Sequence, residues 1–112
     1  ETYFINPKKV DASFMSSAFE STEKAREKLS AAIHPSDLTL RPQIVKKSIN
    51  PEYYDLIKKF KNITGVGAIL NTSFNLSGEP NVSSPKDAIN TLQNSGLEYL
   101  ILENCLLKKK LN

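Results

Sequence analysis

Apolar residues recur every three or four positions in three segments of the chain, which is the spacing of one face of an α-helix. Polar and charged residues occupy most of the remaining positions in these segments. The three apolar sets are Ala25, Leu29, Ala32 and Ile33, then Tyr53, Ile57 and Phe60, then Ala88, Ile89 and Leu92. The pattern predicts three amphipathic helices, with the third set facing the core.

The predicted helices are bounded by residues typical of helix ends. A polar side chain that can cap the first turn precedes each helix, and proline or glycine stands near the boundaries. The predicted starts and ends are Ser21 or Thr22 to His34-Pro35, Asn50-Pro51 to Thr64-Gly65, and Ser84-Pro85 to Ser95-Gly96.

Short apolar runs between the helices predict strands. Leu40 to Ile49 is one, with Pro42 at its start or at an edge, and Val66 to Leu70 reads as a buried strand. Leu97 to Leu107 predicts one strand or two, and Phe14 to Phe19 is a short stretch before the first helix. Helices alternating with strands favour an α/β fold with helices packed on a mixed, partly parallel twisted sheet.

A chain of 112 residues has room for one compact domain. We expect residues 1–112 to form a single domain or part of one, cut from something longer because the first residue is Glu1. No apolar run approaches the roughly 20 residues of a membrane span, so we expect no membrane segment. The single cysteine, Cys105, argues against a disulfide or a cysteine metal cluster and favours a cytoplasmic protein.

The net charge of +3 raises the question of nucleic-acid binding. Much of the excess lies in Lys108-Lys109-Lys110, and the basic residues do not alternate with aromatic ones in a recognisable pattern. A solvated basic tail is the better interpretation, and nucleic-acid binding ranks last among the functions considered.

The nine residues from Asn71 to Glu79 are unusually polar and follow a predicted buried strand. Ligands of α/β proteins commonly bind beyond the carboxyl ends of strands, where hydroxyls, amides and backbone N–H groups can hold a phosphate or a ribose. Asn, Ser and Gly are equally suited to an ordinary turn. Composition alone leaves both interpretations open.

Three further side chains are candidates for a site. Arg41 carries a guanidinium suited to phosphate or carboxylate, although a surface arginine is the commoner interpretation. His34 and Asp37 could act as a base and its orienting acid, but a histidine at a helix end is also a natural cap. Phosphate-binding glycine loops, paired metal-binding histidines and Gly-x-Ser-x-Gly turns are missing from the sequence.

Several short motifs follow one another in a specific order: Arg41-Pro42-Gln43-Ile44-Val45, Asn50-Pro51-Glu52-Tyr53-Tyr54-Asp55-Leu56-Ile57, Phe60, Thr64-Gly65-Val66-Gly67, Leu70-Asn71-Thr72-Ser73-Phe74-Asn75, Gly78-Glu79-Pro80 and Ser84-Pro85-Lys86-Asp87-Ala88-Ile89. The order of these motifs resembles the C-terminal part of the nodulation and antibiotic O-carbamoyltransferases, and the resemblance extends over about Phe14 to Leu107.

The resemblance implies a YrdC-like fold and a reaction in which ATP, with Mg²⁺, and carbamoyl phosphate yield carbamoyl-adenylate. A separate N-terminal actin-like domain, which this sequence lacks and where iron or another metal is expected, would then carbamoylate a hydroxyl of the acceptor. No metal is expected in this chain. A basic stretch that normally precedes this region is also missing, so we expect the chain alone to be inactive.

Matching positions to the family motif implies a role for each candidate. Ser73 and Asn75 would contact the phosphates or the adenylate, and Asn71 and Thr72 would shape the loop. Arg41 would neutralise phosphate charge, which makes Arg41 and Ser73 the expected catalytic residues. Two departures from the family are Asn81 and the longer spacing from His34 to Asp37, and the second weakens any role for that pair.

The alternative from a different class of function is a non-catalytic module that has the same fold and binds a nucleotide or interacts with a partner. The missing upstream basic stretch keeps this alternative open. The sequence does not identify the acceptor, because the acceptor pocket would belong to the separate domain.

Overall fold

The computed structural model describes residues 2–110 and divides the chain into a first unit, Glu1–Leu70, and a second unit, Asn71–Asn112. Within the described residues there are three α-helices and two small antiparallel sheets. The mixed α/β class is therefore confirmed. The predicted parallel strand pairs do not occur among residues 2–110, because each sheet holds only two strands and both pairs are antiparallel.

The sheet of the first unit joins β1 (Phe19–Glu20) to β2 (Thr39–Leu40). The chain near the N-terminus lies along the other side of β1 through an antiparallel bridge between Phe4 and Ser21. The Ile5 amide donates to the Glu20 carbonyl at 3.0 Å, which extends this contact. No element was predicted before Val10, yet this segment completes the small sheet.

Helix α1 (Glu23–Lys28) begins where the sequence predicts, since the Thr22 hydroxyl accepts a hydrogen bond from the Ala25 amide at 3.2 Å. It ends earlier than predicted. Leu29 leaves the helical conformation and a 3₁₀ helix, Ser30–Ala32, follows. After this break, Leu29 and Ile33 both pack against the core of the first unit.

The core of the first unit forms around two aromatic rings. The ring centroids of Phe4 and Phe19 lie 5.0 Å apart at an angle of 52°, a tilted arrangement favoured by aromatic quadrupoles. The other buried members are Ala12, Ala25 and Leu40. Because Phe4 and Ala12 both come before the first predicted element, which starts at Phe14, the sequence identified only part of this core.

Helix α2 (Pro51–Thr64) matches its predicted boundaries. The Asn50 side chain accepts a hydrogen bond from the Tyr53 amide at 3.1 Å, and Pro51 occupies the first turn. Gly65 adopts the left-handed conformation, with φ of 77°, and its amide donates to the Lys61 carbonyl at 2.8 Å. No residue of α2 is buried.

Two strand predictions in the first unit are wrong. Leu40 to Ile49 contributes only its first residue to β2, because Pro42 has no N–H group with which to continue the ladder. Val66 to Leu70 belongs to no strand, and none of its residues is fully buried. A buried strand needs neighbours on both sides, and the described part of the chain supplies none for this segment.

The second unit consists of a loop, helix α3 (Pro85–Asn94) and a hairpin. Strands β3 (Tyr99–Leu102) and β4 (Cys105–Lys108) pair with Leu100 opposite Leu107, so the predicted 97–107 segment forms two strands. Helix α3 begins and ends as predicted. Its buried residues include Ala88 and Leu92, whereas Ile89, predicted to face the core, is 36% exposed.

The core of the second unit lies between α3 and one face of the hairpin. Ala88, Leu92 and Leu100 are buried together, and half-buried apolar residues surround them. These surrounding residues are Phe74, Val82, Leu102 and Leu107. Phe74 matters most for the site, because it anchors the polar loop to this core.

Candidate functional site

The polar loop 71–79 lies at the start of the second unit. Thr72 and Ser73 are exposed, whereas the next residue, Phe74, is half-buried against the core formed by α3 and the hairpin. The backbone amide of Val82 donates to the Phe74 carbonyl at 2.9 Å, which fixes the chain on the far side of the loop. Two exposed hydroxyls therefore stand beside an anchored residue.

Asn75 holds the remainder of the loop. Its side-chain Nδ2 donates to the carbonyl oxygens of Leu76, at 3.0 Å, and Glu79, at 2.9 Å. Both acceptors are carbonyls, so the orientation of the amide follows from the chemistry. Gly78 has a φ of 84°, a left-handed conformation that glycine adopts readily, and the turn closes with a bond from the Glu79 amide to the Leu76 carbonyl.

This arrangement divides the loop into a supporting part and an exposed part. Both Nδ2 hydrogens of Asn75 serve the loop, which leaves its Oδ1 as an acceptor rather than a donor toward a ligand. Thr72 and Ser73 carry hydroxyls that can donate to anionic oxygens. Asn71 is exposed and belongs to the same exposed part.

Arg41 lies in the first unit, directly after β2, and is exposed. The pairing of β1 with β2 fixes the backbone beside it, with Leu40 buried in the core. The structure places Arg41 within the first unit and the loop 71–79 within the second unit.

His34 and Asp37 come together in a tight turn of the first unit. The His34 Nδ1 atom lies 3.3 Å from Asp37 Oδ1 and 3.1 Å from the Ser36 hydroxyl. Two backbone bonds close the turn, from the His34 amide to the Thr39 carbonyl and from the Leu38 amide to the His34 carbonyl. The two side chains are therefore within contact distance, and a role for them as a base and its orienting acid stays a prediction.

Asp37 has a structural partner besides the histidine. Its Oδ1 accepts hydrogen bonds from the Thr39 amide at 3.0 Å and the Thr39 hydroxyl at 2.8 Å. These bonds, followed by the nearby His34, hold the pKa of the Asp37 carboxyl below its ordinary value. Both His34 and Asp37 are exposed, so the turn explains the pair by itself.

A buried polar cluster beside β1 escaped sequence reasoning. The fully buried Ser21 donates its hydroxyl to the Leu38 carbonyl at 2.5 Å, and Arg26 contacts the Ser21 hydroxyl at 3.0 Å and carbonyl at 2.8 Å. The guanidinium also lies 3.8 Å from Glu20. Ser21 and Thr22 were both candidate N-caps of α1 in the sequence. Because Thr22 caps the helix, the hydroxyl of Ser21 needs a different hydrogen-bond partner, and this could have indicated the cluster.

Among residues 2–110, no group of three or more histidine, cysteine, aspartate or glutamate side chains is arranged to hold a metal ion. In the same part of the chain, no helix combines the length and apolar character needed to cross a bilayer.

Comparison with known families gives a match along nearly the whole chain. The model of the family described as Carbamoyltransferase C-terminus matches residues 1–109. This range includes Arg41, the turn from His34 to Thr39 and the complete loop 71–79.

Three curated relatives resemble the chain closely. Two uncharacterized proteins of Methanocaldococcus jannaschii are 43% identical over 97 residues and 38% identical over 109 residues, covering 87% and 97% of this chain. The nodulation protein NolNO of Sinorhizobium fredii is 39% identical over 97 residues, or 87% of the chain. The matched regions are only 16%, 21% and 14% of these relatives, so the chain spans a small part of their length.

Proposed function

Because this chain belongs to the carbamoyltransferase C-terminus family, we propose that it helps to bind ATP and carbamoyl phosphate and to form carbamoyl-adenylate. A separate domain would then transfer the carbamoyl group to a hydroxyl of an acceptor. In this proposal the chain alone is an incomplete enzyme, and the N-terminal domain of the longer protein is its partner.

One observation about the loop 71–79 carries this proposal: Phe74 and Asn75 support the loop, while the hydroxyls of Thr72 and Ser73 are exposed. Phe74 is anchored in the core and Asn75 bonds two carbonyls across the turn, which holds the backbone next to Ser73 in place. Adenylate formation builds negative charge on phosphate oxygens, and donors that are already positioned stabilise such charge most effectively. An anchored loop with exposed hydroxyls suits this task.

Each candidate residue has a proposed role. Ser73 donates to a phosphate oxygen of the nucleotide or of the adenylate, and Thr72 and Asn71 shape the same surface. Asn75 acts chiefly as a positioning residue, with its Oδ1 as the atom for any direct contact. Arg41 neutralises phosphate charge, for which a guanidinium provides two parallel donors.

The remaining elements of the proposal concern the surroundings of the site. Mg²⁺ enters with ATP as part of the substrate, whereas any resident metal such as iron belongs to the separate domain. His34 and Asp37 have at most a minor role, since the turn already uses both. The YrdC-like fold stays a prediction for the completed domain, and the exposed lone thiol of Cys105 suits a cytoplasmic reaction.

Calorimetric titration of the chain with ATP and Mg²⁺, with and without carbamoyl phosphate, tests the proposal. Removing one hydrogen bond to a charged phosphate raises the Kd by roughly tenfold to a hundredfold. We expect this loss in Ser73→Ala and Arg41→Ala. Ser48→Ala and Lys59→Ala, at other exposed positions, serve as matched controls and are expected to bind like the native chain.

Two results would contradict the assignment. Equal affinity of the native chain, Ser73→Ala and Arg41→Ala would place the nucleotide elsewhere. If the native chain does not bind, the same titration is repeated with the Methanocaldococcus jannaschii relative that matches 97% of the chain. Failure of that protein as well would favour the alternative, a module that only contacts a partner.

A further inference from the structure

A buried serine holds the chain just ahead of Arg41. Ser21 is fully buried, and both its amide, at 3.1 Å, and its hydroxyl, at 2.5 Å, donate to the Leu38 carbonyl. Arg26 in turn donates from Nε to the Ser21 hydroxyl oxygen at 3.0 Å and from a terminal nitrogen to the Ser21 carbonyl at 2.8 Å. Because these bonds converge on Ser21, its hydroxyl is oriented toward Leu38.

Leu38 has an unfavourable backbone conformation. Its φ is 57°, in the left-handed region that residues with a Cβ atom disfavour. Leu38 is 42% exposed and, among the described residues, is a member of neither apolar core. Backbone hydrogen bonds hold it instead, since its amide donates to the His34 carbonyl at 2.9 Å and its carbonyl accepts the two bonds from Ser21. Such conformations persist where several contacts fix them, and they concentrate at functional sites.

The conformation of Leu38 sets the direction in which the chain reaches Arg41. Strand β2 consists of Thr39 and Leu40 alone, and Pro42 has no N–H group with which to continue the ladder. Arg41 therefore follows directly on a turn and a very short strand. Its guanidinium can offer two parallel donors to a phosphate only if the backbone points it correctly.

We propose that Ser21 is a positioning residue for Arg41: together with Arg26 it holds Leu38 in the left-handed conformation, and this directs Arg41 toward a substrate phosphate. The inference rests on the proposed function for the role of Arg41, and Ser21 itself contacts no substrate. Arg26 is not a second phosphate ligand in this proposal. Its donors already serve Ser21, and its guanidinium lies 3.8 Å from the Glu20 carboxylate.

The neighbouring residue Thr22 supplies a matched control for a role that is confined to stability. The Thr22 hydroxyl caps α1 by accepting from the Ala25 amide at 3.2 Å, so Thr22→Ala weakens the same unit. It leaves the bonds between Ser21 and Leu38 in place. If Ser21 only stabilises the fold, Ser21→Ala and Thr22→Ala should affect Arg41 alike. If Ser21 positions Arg41, only Ser21→Ala should do so.

Backbone ¹⁵N relaxation of the chain without ligand is the first test. In Ser21→Ala the order parameter of the Arg41 amide is expected to fall from about 0.85 to below about 0.6, while Thr22→Ala leaves it unchanged. The double variant Ser21→Ala/Leu38→Gly is expected to recover the native value, because glycine adopts the left-handed conformation without support. If Ser21→Ala does not fold, Arg26→Lys takes its place, since lysine cannot make both bonds to Ser21 in the same geometry.

Titration with ATP and Mg²⁺ is the second test, arranged as a double-mutant cycle. Ser21→Ala is expected to raise the Kd about tenfold in the native background, as for the loss of one well-directed charged hydrogen bond. In the Arg41→Ala background the same substitution should leave the Kd unchanged, because there is no guanidinium left to position. The double variant Ser21→Ala/Leu38→Gly should bind like the native chain.

Two outcomes would overturn the inference. One is an order parameter of Arg41 that Ser21→Ala leaves unchanged or that Thr22→Ala lowers equally. The other is a rise in Kd on Ser21→Ala that is the same with and without Arg41. Failure of the native chain to bind ATP would count against the proposed function instead, and the relaxation measurements, which need no ligand, would still decide whether Ser21 positions Arg41.

Discussion

Helices α2 and α3 begin with the same local arrangement but have different surroundings. An N-cap side chain, from Asn50 in α2 and Ser84 in α3, accepts a hydrogen bond from the third amide of each helix, and proline occupies both first turns. Helix α3 buries Leu92 against the hairpin, whereas no residue of α2 is fully buried. Capping and periodicity thus determine where a helix forms and which side is apolar, but not what covers that side.

The largest difference between the two helices is expected from leucine truncation. Leu92→Ala removes a side chain that is 4% exposed and should destabilise the second unit by about 2–5 kcal/mol. Leu56→Ala, at a position 51% exposed, should change stability by no more than about 0.5 kcal/mol. Urea unfolding of each variant, followed by circular dichroism, measures both. Similar losses would mean that the apolar side of α2 is already packed.

Glycine substitution tests the ends of the helices. Gly65 has a φ of 77°, so Gly65→Ala is expected to cost roughly 1–2 kcal/mol and to fray the last turn of α2. Gly96 follows α3, is not among the positive-φ glycines and has nothing within 4 Å of an added Cβ. Gly96→Ala should therefore be nearly neutral. Helical ellipticity and the urea midpoint distinguish the two variants.

Removing the N-cap side chains should lower stability moderately. The loss is expected to affect the whole second unit for α3 but only the helix itself for α2. Ser84→Ala is expected to destabilise the second unit by about 1 kcal/mol, because α3 is coupled to the core. Asn50→Ala removes an equivalent bond at 3.1 Å, but the effect should be confined to the helicity of α2. Residue-specific amide exchange separates local fraying from global unfolding. Global destabilisation by Asn50→Ala would contradict the comparison.

The smallest expected effect is a pH dependence of the start of α3. The Ser84 hydroxyl, at 2.7 Å, is the main cause that lowers the pKa of Asp87 from its ordinary value of 3.8. A lowered folded pKa means that ionised Asp87 stabilises the fold above pH 3.8, and this contribution is lost as pH falls through the lowered value. A ¹³C NMR titration of the carboxyl measures it.

The cap variant supplies the control for this titration. Ser84→Ala is expected to move the pKa of Asp87 upward toward its ordinary value, because the hydroxyl no longer donates to the carboxylate. Helix α2 has Tyr53 at the corresponding position, which does not titrate in acid. An unchanged pKa of Asp87 in Ser84→Ala would show that another group controls it.

For the candidate site, the sequence predicted where the polar loop lies but not how the loop is held. The polar composition of residues 71–79 identified the loop, and the structure shows the hydroxyls of Thr72 and Ser73 at exposed positions. The supporting role of Asn75 was not predictable, because its two acceptors are backbone carbonyls whose positions depend on the turn at Gly78. The contact of His34 with Asp37 was expected from their closeness in the sequence. The two hydrogen bonds that Thr39 donates to the Asp37 carboxylate were not predicted.

The sequence by itself determined the boundaries of α2 and α3, the start of α1, the hairpin segment and the family, because caps, prolines, glycines and motif order are local properties of the chain. Only the tertiary structure decided that Phe4 and Ala12 belong to a core, that both sheets are antiparallel and that Val66 to Leu70 has no strand partner within residues 2–110. These features depend on which distant residues meet, and strand pairing in particular requires a neighbour that local pattern does not specify.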